Sequence, residues 1–165
     1  MARNVFFSFH FDNDCWRTQQ VRSMGALNGQ KLYTPNAWEE VKRKGSAAVE
    51  RWIDENMQDK TCVVVLVGSQ TSQRPWVRQE IIKGWNAGKG VLGIRIHSLL
   101  DEKQSPSLLG VDPFSVITLG QQKLSSQVKL ITPSGSDSKA VYASIQQNIE
   151  SWIESAIKVR NAYRG

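Results

Sequence analysis

The segment Cys62–Val67 is an unbroken apolar run, CVVVLV, and it constrains the fold more than any other part of the chain. A strand with one face in water alternates apolar and polar residues, whereas a run without alternation is typical of a strand covered on both faces by helices. The run is much shorter than the roughly 20 residues that a membrane span requires. The pattern therefore predicts the central strand of a parallel sheet.

Segments on both sides of this run alternate between strand-like and helix-like patterns. The strand-like segments occupy residues 4–10, 31–34, 62–67 and 90–97. The first helix-like segment follows Asp12-Asn13-Asp14, which are good helix-capping types, and runs to about Met24. Further helix-like segments begin at Ser46 and occupy residues 76–87. This order predicts an α/β, flavodoxin-like three-layer sandwich, with a mainly parallel central sheet and helices on both faces.

The last third of the chain is less regular but ends in a clear helix. Residues 98–113 read as a loop, residues 114–119 could form a short edge strand, and residues 121–131 leave a further strand or a hairpin open. Ser136 or Asp137 is the expected cap of the closing helix. Its apolar stripe consists of Val141, Ile145, Ile149, Trp152, Ile153 and Ala156. Because no long linker interrupts the chain, residues 1–165 are predicted to form a single domain.

The composition limits the classes of partner that the chain is expected to bind. The chain has 21 Lys and Arg against 15 Asp and Glu, and this net charge of +6 would attract a phosphorylated small molecule or a polyanion. The basic residues are scattered, with no arginine-rich stripe, so nucleic acid is not an expected partner. Two distant cysteines and two histidines match no metal-binding spacing. Without a signal-peptide pattern or an apolar span, the sequence predicts a cytoplasmic protein with no membrane contact.

Several nucleotide-binding classes lack their motif here. The sequence contains neither a P-loop nor G-x-G-x-x-G, which disfavours an NTPase and a Rossmann dehydrogenase. A phospho-receiver domain would need an aspartate at the end of the third strand, where Gly68 and Ser69 stand instead.

The expected topology indicates where a site should lie. In open α/β sheets, ligands bind beyond the carboxyl ends of the strands, at the point where the chain switches sides. Ser8, Phe9 and His10 end the first strand, and Glu80 lies one helical turn beyond Trp76 on the helix that follows the third. These side chains are therefore the first candidates.

A carboxylate beside aromatic rings suits one reaction in particular. Breaking a nicotinamide–ribose bond needs little acid catalysis, because the ring leaves as a neutral molecule while positive charge builds on the ribose. Glu80 could stabilise that charge, with Phe9 and Trp76 as walls of a slot for the ring. The alternatives are structural: a glutamate near a helix N-terminus often just complements the helix dipole, and a lone histidine such as His10 often serves packing. Trp38 could line the mouth of the site or pack in the core.

Three blocks of sequence resemble a known family. VFFSFH at residues 5–10 is similar to the opening strand of TIR domains and, more closely, of the TIR-like proteins of bacterial Thoeris anti-phage defence. VGSQT at 67–71 and RPWVRQEI at 74–81 resemble that family's third strand and following helix, and NAWEE at 36–40 resembles the segment before its second helix. The resemblance covers about the first 97 residues.

The resemblance implies a TIR fold and an enzyme that takes NAD as substrate, without a separate cofactor or metal. It implies that Glu80 is catalytic, and that the nicotinamide side is contacted by Phe6, Ser8, Phe9 and His10. The product would be a cyclic or otherwise modified ADP-ribose that diffuses to an effector protein, with a phage-derived activator and a homo-oligomer as further expected partners. His10 departs from the basic residue that animal and plant TIR domains usually carry there.

Two other functions stay open at this point. The first is a TIR-like interaction module without turnover, which would act by self-association or by binding a signalling partner. The second is a nucleoside-processing transferase of similar fold, which free nucleosides but not NAD would inhibit.

Overall fold

Parallel strands form the centre of the structure, a computed structural model that describes residues 3–24, 27–29 and 40–163. The strands are β1 (Arg3–Ser8), β2 (Leu27–Gly29), β3 (Cys62–Val67), β4 (Gly90–Arg95), β5 (Thr118–Leu119), β6 (Gln122–Lys123) and β7 (Leu130–Ile131). Five of them form one parallel sheet in the order β2-β1-β3-β4-β7, and β5 pairs with β6 as a separate antiparallel hairpin. This order confirms the flavodoxin-like prediction.

β3 is the centre that the apolar run predicts. All six of its residues are at most 1% exposed, because β1 and β4 pair with its two edges and helices cover both faces. The register places Ser8, the last residue of β1, beside Val65 of β3. The carboxyl ends of β1 and β3 therefore lie together at one edge of the sheet.

Helices flank the sheet on both faces. Within the described residues they include α1 (Phe11–Arg22), α2 (Ser46–Met57), α3 (Pro75–Asn86) and α4 (Ser138–Ala162). One core cluster joins Val5 and Phe7 to α1 and α4, and a second joins Phe6 to α2 and α3. We call these sides the α1/α4 face and the α2/α3 face. Because successive strand residues point to opposite faces, β1 contributes to both cores, and the three-layer arrangement is confirmed.

The first helix differs from its prediction in a useful way. It begins at Phe11, with His10 at the N-cap position, so Asp12, Asn13 and Asp14 lie in its first turn rather than before it. The buried positions of α1 are mainly polar: Asp14, Arg17, Thr18 and Val21. A pattern search for an apolar stripe cannot find such a face.

Three strand predictions also differ. β1 ends at Ser8 and β4 ends at Arg95, each two residues before its predicted end. The strand that pairs with β1 at the sheet edge is β2, while the strand predicted at residues 31–34 lies outside the described residues.

The region before α4 contains short elements rather than one edge strand. Asp112 accepts a hydrogen bond from the Phe114 amide (2.8 Å) and starts a 3₁₀ turn over Pro113–Val116, so only Thr118–Leu119 of the predicted strand is extended. β7 supplies the strand left open within residues 121–131.

The closing helix follows its prediction closely. Asp137 is the cap of α4, since its side chain accepts a hydrogen bond from the Ala140 amide at 2.8 Å. Val141, Ile145, Ile149 and Ile153 of the predicted stripe are buried, and Trp152 and Ala156 pack partly buried beside them. Among the helices of the described ranges, none combines the length and apolarity that crossing a bilayer would take.

Candidate active site

Ser8 and Glu80 meet where β1 ends beside α3. Ser8 follows Phe6 on the α2/α3 face by strand alternation, and α3 begins at Pro75, which places Glu80 in its second turn. The Ser8 Oγ donates a hydrogen bond to Glu80 Oε1 at 2.7 Å. Two candidates that lie 72 residues apart in sequence are thus in direct contact.

Glu80 is a buried carboxyl group for which the described part of the chain supplies no cationic partner. Its side chain lies almost wholly inside the protein, at 7% exposure, and no Lys or Arg within the described ranges forms an ion pair with it. Burial raises the pKa of Glu80 to about 8, and the hydrogen bond from Ser8 opposes that rise. The group is therefore largely protonated at neutral pH in the absence of ligand.

The aromatic candidates divide between the two faces. Phe6 is fully buried on the α2/α3 face, where its ring meets Trp52 edge-on at 5.9 Å, and Trp76 packs partly buried against the same core. Phe9 instead packs against the core of the α1/α4 face and stacks on Phe11 with ring centroids 5.9 Å apart. Phe6 and Trp76 therefore share a face with Glu80, and Phe9 does not.

His10 sits at the junction of β1 and α1. It is 6% exposed, and its Nδ1 has no hydrogen-bond partner among the described residues. Burial lowers the pKa of His10, as do the charges of Arg74 and Lys42, while Asp12 opposes the shift. His10 is thus a neutral imidazole near pH 7, set among basic side chains.

One candidate lies outside the described residues, namely Trp38. Within residues 3–24, 27–29 and 40–163, no three His, Cys, Asp or Glu side chains come together in a way that could hold a metal ion.

The sequence did not predict the buried ion pair that lies beside this site. Asp14 is fully buried and Arg17 is 3% exposed, and their Oδ1 and Nη1 atoms are 2.8 Å apart. Burial raises the pKa of Asp14, while the Arg17 hydrogen bond and charge oppose the rise. The spacing of three residues on a helix is readable as an ion pair, but such pairs usually lie on the surface, and nothing local marks this one as buried.

A hydrogen bond also joins the first turn of α1 to the loop after β3. Asn13 Nδ2 donates to Gln70 Oε1 at 3.3 Å, and Thr71 Oγ1 accepts from the Gly68 amide at 2.8 Å. Gly68 lies directly against the Asp14 carboxylate, where a Cβ atom would collide with it.

The fold indicates a class of protein. A flavodoxin-like parallel sheet with helices on both faces is consistent with a TIR-like domain. The family model described as Thoeris protein ThsB, TIR-like domain, matches residues 6–101, which is more than half of the chain. The chain belongs to that family, and the resemblance drawn from the sequence is confirmed.

A curated relative agrees with this assignment. A Bacillus cereus (strain MSX-D12) protein named "Putative cyclic ADP-D-ribose synthase ThsB1" is 33% identical over 122 residues. The alignment covers 71% of this chain and 64% of the relative, so the chain spans just under two thirds of that protein's length.

Proposed function

We propose that this chain cleaves the nicotinamide–ribose bond of NAD and converts the rest of the molecule to a cyclic ADP-ribose-type signal. The observation that carries the proposal is the buried Glu80 carboxyl group, held by Ser8 at 2.7 Å and without a cation among the described residues. Membership of the ThsB family and the name of the Bacillus cereus relative support it.

Glu80 is the proposed catalytic residue. As the bond between ribose C1′ and the ring nitrogen breaks, nicotinamide leaves with the electron pair as a neutral molecule, and the ribose becomes an oxocarbenium-like cation. A carboxylate in a dry site stabilises that cation more than it could in water. Water then attacks C1′ to give ADP-ribose, or a nucleophilic atom of the same molecule attacks and closes a ring.

Because no described residue pairs with Glu80 as a counterion, a cationic substrate can promote the ionisation of this carboxyl group. A protein cation paired with the carboxylate would compete with the developing charge on the ribose. The nicotinamide ring of NAD is itself cationic, so its binding favours the ionised carboxyl group and lowers the pKa of Glu80 in the complex. Because kcat/KM reports the free enzyme, it should rise with pH up to about 8. The kcat should level off at lower pH.

The remaining candidates are assigned by their places around Glu80. Ser8, Phe9 and His10 are proposed to contact the nicotinamide–ribose end of NAD, since they lie at the end of β1 or directly after it. Phe6 and Trp76 lie on the same α2/α3 face as Glu80, and we propose that their rings help to form the aromatic surroundings of the substrate beside the Glu80 carboxyl group. Trp38 is proposed as a further substrate contact.

The decisive experiment measures nicotinamide release by Glu80→Gln beside wild type. Each protein is incubated with NAD, with and without lysate of infected cells, and nicotinamide is quantified by chromatography. Removing the charge should reduce kcat about 100- to 1,000-fold, the usual effect of losing one electrostatic contact in a transition state. Glu50→Gln, at an exposed position on α2, is the matched control and should keep full activity.

The outcomes separate the alternatives. Full activity of folded Glu80→Gln would remove the proposal. Absence of release from wild type under every condition, together with concentration-dependent oligomers, would favour an interaction module. Mass spectrometry of the product distinguishes a cyclic species from linear ADP-ribose.

The expected partners are tested with the same reaction. We propose that the product acts in the cytoplasm on a separate effector protein, that a phage-derived factor switches the enzyme on, and that the active form is a homo-oligomer. A protein-free filtrate of the reaction should activate the effector, whereas a filtrate from Glu80→Gln should not.

A further inference from the structure

Arg17 is the centre of a buried polar cluster on the α1/α4 face. Its Nε donates to the Leu99 carbonyl at 2.8 Å, and its Nη2 donates to the Ser105 carbonyl at 2.9 Å. Its Nη1 donates to Asp14 Oδ1 at 2.8 Å and to the Asn13 carbonyl at 3.2 Å. Every nitrogen of this guanidinium is therefore engaged, in the fixed fork geometry that only arginine offers.

The cluster joins the segments that follow three strands, at the edge of the sheet where the site lies. Asn13 and Asp14 lie in the first turn of α1, soon after β1 ends. Leu99 and Ser105 lie in the loop after β4, and the Asp14 carboxylate packs against Gly68 after β3. These are the positions that the topology nominates for ligand binding.

Asp14 also connects the cluster to a proposed substrate contact. Its amide donates to the His10 carbonyl at 2.9 Å, so Asp14 helps to hold His10 where α1 begins. Two hydrogen bonds, from Arg17 to Asp14 and from Asp14 to His10, therefore link the guanidinium to the residue that lies two positions beyond Ser8. Ser8 itself is held by the pairing of β1 with β3, separately from the cluster.

Stability alone is a poor reason for such a cluster. Desolvating two charges cancels most of their attraction, and apolar residues of similar volume often stabilise a core as well or better. What an arginine fork provides is a defined geometry, since it fixes three carbonyl groups and a carboxylate at the same time.

We propose that Arg17 is a positioning residue, which locks the loops after β1, β3 and β4 in the arrangement that binds substrate next to Glu80. This inference rests on the proposed NAD cleavage. Loss of the fork loosens the loops that form the binding site while leaving the Ser8–Glu80 contact in place. The effect therefore falls on KM rather than on kcat.

The test is steady-state kinetics of nicotinamide release by Arg17→Lys, which keeps the charge but not the fork. We expect KM to rise about tenfold or more with kcat within about threefold of wild type, and the pH profile of kcat/KM to keep its inflection. Arg22→Lys, at an exposed position of the same helix, is the matched control and should match wild type. Assays run well below the melting temperature of each variant, with folding checked by circular dichroism.

A second variant covers the case in which Arg17→Lys does not fold. Asp101 is partly exposed, and its Oδ1 holds the Ser105 amide at 3.0 Å, so Asp101→Ala loosens the loop after β4 without emptying the core. A rise in KM of about threefold or more would support the proposal. A wild-type KM in every folded variant would overturn it, even if their melting temperatures fall. Failure of the wild type to release nicotinamide would instead overturn the proposed function.

Discussion

Two buried carboxyl groups lie near the same edge of the sheet, on helices that cover opposite faces. Asp14 on α1 is fully buried and paired with Arg17 at 2.8 Å. Glu80 on α3 is almost as deeply buried, and its partner is the neutral hydroxyl of Ser8. Burial raises the pKa of both groups, but only Asp14 has a permanent cation that opposes the rise.

The difference separates a structural carboxylate from a reactive one. Arg17 pairs with Asp14 Oδ1 and fixes the carboxylate in place, so the charge is opposed within the protein, while Oδ2 has no hydrogen-bond partner among the described residues. Glu80 lacks such a partner among the described residues, so the free energy of its ionised form depends on what else enters the site. The same amino-acid chemistry thus holds loops together on one face and, in our proposal, meets a cationic substrate on the other.

The largest expected effect is the loss of stability in Arg17→Met. Removing the guanidinium leaves Asp14 as a buried carboxylate without a counterion, which should cost about 3–5 kcal/mol in the free energy of unfolding. Urea unfolding at pH 7 measures the loss. Arg22→Met, at an exposed position of α1, should stay within about 0.5 kcal/mol of wild type. Equal values for the two variants would mean that Asp14 does not need its partner, and the comparison would fail.

Gly68→Ala should have the next largest effect. A Cβ at this position would stand 2.7 Å from Cγ of Asp14, and the carboxylate cannot move away because Arg17 holds it. Crowding of this kind costs about 1–3 kcal/mol, and thermal or urea unfolding would measure it. The same substitution in an Asp14→Ala background should cost much less. An unchanged cost there would place the cause in the backbone instead of the carboxylate.

The stability of Glu80→Gln relative to wild type should depend on pH. Glu80 has a pKa of about 8 in the folded protein against an ordinary value of 4.5, so the unfolded chain releases this proton first as pH rises. Wild type should therefore lose stability relative to Glu80→Gln between about pH 4.5 and pH 8, by up to about 1.4 kcal/mol per pH unit. Above pH 8 the difference should be constant. Urea unfolding at several pH values gives the two curves, and parallel curves would show that Glu80 is not buried as an uncompensated acid.

Ser8→Ala should have the smallest effect and sharpens the account of Glu80. Without the hydroxyl, nothing among the described residues opposes the rise caused by burial, so the pKa of Glu80 should increase further. At pH 7, kcat/KM for nicotinamide release should fall by up to about tenfold, since one hydrogen bond contributes about 1 kcal/mol. The inflection of the pH profile should move to higher pH. Ser151→Ala, exposed on α4, is the control. An unchanged profile would show that Ser8 does not tune this group.

Much of the scaffold could be predicted because its signals lie within single elements. The apolar run of β3 and the apolar stripe of α4 each indicate directly which of their residues are buried. The polar buried face of α1 could not be found in this way, because Asp14 and Arg17 look like surface residues until their partners on other segments are known. The short elements between residues 113 and 131 could not be predicted from the sequence either, because two-residue strands show no periodicity.

The candidate site shows the same division. Sequence nominated Ser8 and Glu80 separately, from the topology rule and from the resemblance, and placed Trp76 and Glu80 on one side of a helix. It also grouped Phe9 with them, whereas the structure packs Phe9 against the opposite core. The face on which Phe9 packs depends on strand alternation near the end of β1, and therefore on the residue at which the strand ends.

By itself, the sequence determined the layered fold and the family, and it nominated the glutamate on which the proposed chemistry depends. Only the tertiary structure decided that this glutamate is buried with no counterion among the described residues, while a nearby aspartate is buried with one. The physical reason is that a pKa depends on the groups that surround a carboxyl group in space. Ser8, the partner of Glu80, lies 72 residues away along the chain, and Arg17, the partner of Asp14, is itself held in the interior by the Leu99 carbonyl, 82 residues further along.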